Sequence, residues 1–139
     1  MGFRFEYTGI RVRDLDRSIA FYRDLLGLQV TYRGPIEPTG GELAVLECRE
    51  SGARIELNQY SSDHRFDSSY REGDELDHLA FAVDDVYRAI DQLRARGVVV
   101  KQEPPGVGKV PTGYVLDPDG IWVELRPGKP SSAPRGPPS

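Results

Sequence analysis

Cysteine is almost absent from this chain: Cys48 is the single one among 139 residues. An internal disulfide is therefore impossible, and the chain suits a reducing compartment. Within "LAVLEC", Cys48 reads as a small strand residue rather than a nucleophile. Long apolar runs are lacking too. No stretch approaches the roughly 18 residues that a membrane span needs, and the leading "MGFRFEYTG" has no apolar core of a signal peptide. The default expectation is a cytoplasmic protein that does not engage a membrane. A basic stripe is also missing. The 18 Lys and Arg are scattered among 22 Asp and Glu, for a net charge of -4, so nucleic acid is not expected as a partner. The closing "RPGKPSSAPRGPPS" holds almost no large apolar residue and cannot offset its ordering entropy. Residues 127–139 are expected to be a disordered tail.

Histidine is scarce as well, with only His64 and His78 present. His64 falls in the polar stretch "SSDHRFDSSYREGDE", which reads as a solvated linker over residues 61–75. His78 heads the apolar strand "HLAFAV", an unusual position for one of two histidines.

What is present is a repeat. "YTGIRVRDLDRSIAFYRDLLGL" from Tyr7 matches "HLAFAVDDVYRAIDQLRARGV" from His78. Each opens with a short alternating strand ending in valine, Val12 or Val83, and then reaches an aspartate, Asp14 or Asp85. Aspartate there can accept from free N–H groups of a first helical turn. The following segments carry apolar residues at helical spacing: Leu15, Ile19, Tyr22 and Leu26, then Val86, Ile90 and Leu93. Gly27 and Gly97 supply the stops. Three strands follow in each half, at about 29–33, 42–48 and 54–60, then 98–102, 113–116 and 121–126. "EPTGGE" and "DPDGI" read as turns. The expected fold is α+β: two βαβββ repeats, residues 3–60 and 76–126, forming a cupped mixed sheet with the helices outside.

Strand alternation assigns the faces. Tyr7, Gly9 and Arg11 share a face, as do Glu56, Asn58 and Tyr60. In the second half His78, Ala80 and Ala82 share one, and so do Trp122, Glu124 and Arg126. The opposite faces are apolar and suit helix packing. "RIEL" and "WVEL" place Glu56 and Glu124 at the same repeat position. Packing about a pseudo-two-fold axis would bring His78, Glu56 and Glu124 together, and imidazole with carboxylates is a ligand set for a divalent first-row metal. The alternative is that each is an ordinary polar residue on an exposed sheet face.

The stretches "IRVRDLDRSIAFYRDLLGL", "IELNQY", "LDHLAFAVDD" and "DPDGIWVEL" resemble the vicinal oxygen chelate superfamily over about residues 4–126. That superfamily includes glyoxalase I, bleomycin-resistance proteins and extradiol dioxygenases. The nearest likeness is to glyoxalase I, a lyase. It implies a zinc or nickel site, with manganese or iron as further options, in which Glu56, His78 and Glu124 take the second, third and fourth ligand places. The first place, a histidine or glutamine in that family, is Tyr7 here. The resemblance implies that Arg11 meets the carboxylate of a thiol adduct. It also implies that Glu124 is the base and Glu56 its symmetry partner, and that an ene-diolate is stabilised by the metal. Tyr60 replaces an asparagine of the family. A homodimer and a small-molecule substrate are implied too. The resemblance leaves two other functions open. One is a metal-free binding protein of the bleomycin-resistance kind, with Tyr60 and Trp122 as stacking walls. The other is an extradiol dioxygenase, which would need histidine in place of Tyr7.

Overall fold

The computed structural model describes residues 2, 4–36, 40–61, 76–105 and 111–128. The described residues divide into two compact units, one holding residues up to 61 and the other residues 76–128. The first unit contains β1 (Thr8–Arg11), α1 (Leu15–Ile19) continued by a π-helical segment (Ala20–Leu25), β2 (Gln29–Ile36), β3 (Gly41–Glu47) and β4 (Arg54–Gln59). The second contains β5 (Leu79–Val83), α2 (Val86–Ala95), β6 (Val100–Gln102), β7 (Gly113–Leu116) and β8 (Trp122–Pro127). The expected βαβββ order is present twice.

Each unit closes its own four-stranded mixed sheet, in the orders β1-β4-β3-β2 and β5-β8-β7-β6. The first strand of each lies parallel to the last, and the remaining neighbours are antiparallel. A parallel pair needs a long crossover. The helix and the two intervening strands provide it, so the first and last strands of each repeat lie side by side at one edge of their sheet.

Local chemistry sets the helix limits as expected. Asp14 and Asp85 sit in extended backbone, and each side chain accepts the N–H of the third residue on, Arg17 at 3.1 Å and Arg88 at 3.0 Å. Gly27 and Gly97 end the helices at φ 80° and 84°, a region costly for residues with a Cβ. The first helix departs from the expected continuous α-helix. It widens after Ile19, with Leu26 N–H bonding to the Phe21 carbonyl five residues back. The widened turn accompanies burial of two adjacent rings, Phe21 and Tyr22, which meet edge to face at 4.9 Å.

The apolar strand faces are buried in β4 and β8 and half-buried in β5. Ile55 and Leu57 flank half-buried Glu56, and Val123 and Leu125 flank half-buried Glu124. α1 packs on β3 and β4, and α2 packs on β7 and β8. Gly113 permits the second of these contacts, since a Cβ there would stand 3.0 Å from Ile90 Cδ1. No helix among the described residues is long and apolar enough to cross a membrane. The expected linker from residue 62, with His64, and the tail from residue 129 lie outside the described residues.

Candidate active site

His78 stands one residue ahead of β5, and Glu124 lies in the middle of β8. Ala80 is the residue paired with Glu124, and His78 lies two residues earlier, just ahead of the strand. The two side chains meet: His78 Nε2 is 3.0 Å from Glu124 Oε2. The other ring nitrogen, Nδ1, is 2.6 Å from Asp77 Oδ1. Glu124 is 15% exposed and His78 34%, so the pair is partly desolvated, whereas Asp77 is 95% exposed.

An aromatic wall continues from this pair. Tyr114 is paired with Glu124 across β7 and β8. Its ring meets that of His78 edge-on at 5.6 Å and that of Trp122 at 5.5 Å. Lys101 Nζ lies 5.8 Å from the centre of the Trp122 ring. Burial pushes the Tyr114 phenol up from its ordinary range, and the charges of Glu124 and Asp77 add to the effect. Trp122 was expected here. Tyr114, Lys101 and Asp77 were not. Tyr114 shares the inward parity of Glu124, but that becomes visible only once the β7–β8 register is known.

Backbone register places β8 itself. In "DPDGI" the buried carboxylate of Asp117 accepts the N–H groups of Asp119 and Ile121, both at 2.8 Å. This turn delivers the chain into β8 with Trp122 and Glu124 on the face of His78.

The first unit repeats the register. Gly9 pairs with Glu56 as Ala80 pairs with Glu124, so Tyr7 stands to Glu56 as His78 stands to Glu124. Tyr7 is exposed and Glu56 half-buried. Arg11, on β1, and Tyr60, just past β4, are both half-buried.

Donor atoms about 2.1 Å from a tetrahedral zinc stand about 3.4 Å apart, whereas two donors at the right angles of an octahedral ion stand about 3.0 Å apart. That is the Nε2–Oε2 separation seen here. A nitrogen and a carboxylate oxygen are also the donor types such ions take. The same distance suits an N–H···O hydrogen bond, so the pair fits an ion without requiring one. Among the described residues no three His, Cys, Asp or Glu side chains form a group able to hold a metal.

Comparisons with known proteins identify the family of the chain. The family model for the Glyoxalase/Bleomycin resistance protein/Dioxygenase superfamily matches residues 4–125. A lactoylglutathione lyase of Haemophilus influenzae is 37% identical over 124 residues, covering 86% of this chain and 88% of that protein. A probable lactoylglutathione lyase of Vibrio cholerae is 34% identical over 126 residues, covering 88% of each. Among solved structures, the trypanothione-dependent glyoxalase I of Leishmania major superposes with a TM-score of 0.75 at 30% identity, over 91% of this chain and 87% of that one. The matched span takes in both repeats, with Tyr7, Glu56, His78 and Glu124 inside it, and the chain belongs to the Glyoxalase/Bleomycin resistance protein/Dioxygenase superfamily.

Proposed function

We propose that this chain is a metal-dependent lyase or isomerase of the glyoxalase I kind, acting on a small oxygenated substrate presented as a thiol adduct. The observation that carries this reading is the His78–Glu124 pair, 3.0 Å apart on one sheet face. His78 Nε2 and Glu124 Oε2 would hold the ion. Glu56, and the phenol of Tyr7, join the reading through their repeat positions. Zinc or nickel suits the donor types best, with manganese or iron as further options. When bound, such an ion supplies Lewis-acid polarisation to two neighbouring substrate oxygens.

The chain's own groups do the rest. Glu124, as the carboxylate, takes a proton from the carbon next to a carbonyl and returns it to the adjacent carbon. Glu56 holds the symmetry-related place. Arg11 offers a guanidinium to a substrate carboxylate. In the second unit Trp122 offers flat apolar surface to the substrate's carbon skeleton, and in the first unit Tyr60 is a further candidate for that role. A homodimer in the cytoplasm goes with this reading and is checked by the mass of the protein in solution and by its cellular fraction.

The test is the metal content of protein purified without chelators, followed by isomerisation assays on methylglyoxal combined with several thiols. Stoichiometric metal that is lost in His78→Ala and Glu56→Ala, together with turnover on one adduct, supports the proposal. Protein free of metal, with those variants as stable as the parent or more so, sinks it. That result would favour a metal-free binder, a second reading for which the Tyr114–Trp122 pair and the Lys101 charge over it offer a surface.

A further inference from the structure

We infer that Asp77 is a positioning residue that sets the tautomer of His78 and thereby leaves Nε2 bare on the side of Glu124. A neutral imidazole carries one N–H and one lone pair, and an ionised carboxylate only accepts. His78 lies between two carboxylates, with Nδ1 2.6 Å from Asp77 and Nε2 3.0 Å from Glu124. Both compete for the one ring proton. If Glu124 takes it, an N–H fills the place where an ion needs a lone pair. If Asp77 takes it, Nε2 is free to ligate. Nδ1 and Asp77 have hydrogen-bond geometry at 2.6 Å, whereas Nε2 and Glu124 stand at ion-pair distance without a hydrogen bond, which favours Asp77. The balance is therefore set by the presence of Asp77. Tyr114 holds the ring plane from the side, its own ring at 89° to the imidazole.

The backbone makes this contact possible. Asp77 and His78 both precede β5, which begins at Leu79, so the strict alternation of a strand does not force neighbouring side chains apart. The repeat provides a comparison within the molecule. Glu6 precedes Tyr7 as Asp77 precedes His78, yet its carboxylate is bound to Arg4 at 2.7 Å and Arg54 at 3.1 Å. The acid is turned onto its neighbouring ring only in the half that carries the imidazole.

The consequence for metal affinity rests on the function proposed above, whereas the tautomer does not. Removing a carboxylate behind a ligating histidine weakens metal binding by about 10- to 100-fold. Because Asp77 is 95% exposed, the expected loss is at the lower end, about tenfold.

The experiment uses full-length protein carrying His64→Gln, so that His78 is the one histidine observed. Two-bond proton–nitrogen correlation spectra of the metal-free protein, recorded at alkaline pH where imidazole is neutral, report its tautomer. Asp77→Ala should move the population toward Nε2–H. Asp77→Asn, which retains an acceptor oxygen, should move it less, and Glu124→Ala should move it toward Nδ1–H. The zinc Kd, read by chelator competition, should rise about tenfold in Asp77→Ala. A tautomer population unchanged by Asp77→Ala overturns the inference. Parent protein that binds no zinc counts instead against the proposed function, and the spectra then decide the role of Asp77 alone.

Discussion

At Glu124 the same carboxylate faces a histidine and occupies the place proposed for a base. Glu124→Gln keeps the size of the side chain and an acceptor oxygen for His78 but cannot take a proton. Turnover of the best thiol adduct is expected to fall by about 10²- to 10⁴-fold with the thermal midpoint little changed. A loss below about tenfold would remove Glu124 from that role. Tyr7 poses the complementary problem, since a phenol must shed a proton before it can ligate. Tyr7→His gives the first repeat the imidazole that the second already has, and zinc affinity by chelator competition should rise. Equal affinity in variant and parent would exclude position 7 from the ligand set. His78, Glu56 and Glu124 could be singled out from their repeat positions, because alternation on a strand is local. Asp77 and Tyr114 could not. One acts through irregular backbone ahead of β5, and the other depends on which residue of β7 lies opposite Glu124.

Among the elements, the turn ahead of β8 has the most direct hold on the site. Asp117 is 4% exposed and ties down two backbone N–H groups just ahead of the strand. Asp117→Ala should cost about 3 kcal/mol in urea unfolding, since bonds to a charged acceptor are among the stronger ones and their loss strands buried donors. Asp117→Asn, which keeps one acceptor oxygen, should recover most of that, and equal losses in the two variants would contradict the assigned role. The limits of α2 followed from Asp85 and Gly97, both read directly from sequence, because capping involves residues within a turn of each other. The widened turn after Ile19 did not follow. It accompanies the burial of Phe21 and Tyr22 in a core that distant strands complete.

For the whole molecule, a ligand that binds the folded state alone adds to its stability. If the site binds zinc as proposed, a free concentration one hundred times its Kd should add about 2.7 kcal/mol at 25 °C. The gain should vanish with chelator and in His78→Ala. An unfolding curve indifferent to zinc would mean that no such site forms in the native protein. The repeat, the βαβββ order and the assignment of apolar faces came from sequence alone, because each depends on periodicity and on contacts between near neighbours. Strand order and register, the approach of His78 Nε2 to Glu124, the turning of Asp77 onto that ring and the wall made by Tyr114 and Trp122 were decided only by the tertiary structure. Each joins residues that the crossover brings side by side, or follows a backbone path that no local rule dictates. The reason is physical: a strand's pattern states which face is buried, but hydrogen bonding to another strand decides what stands opposite.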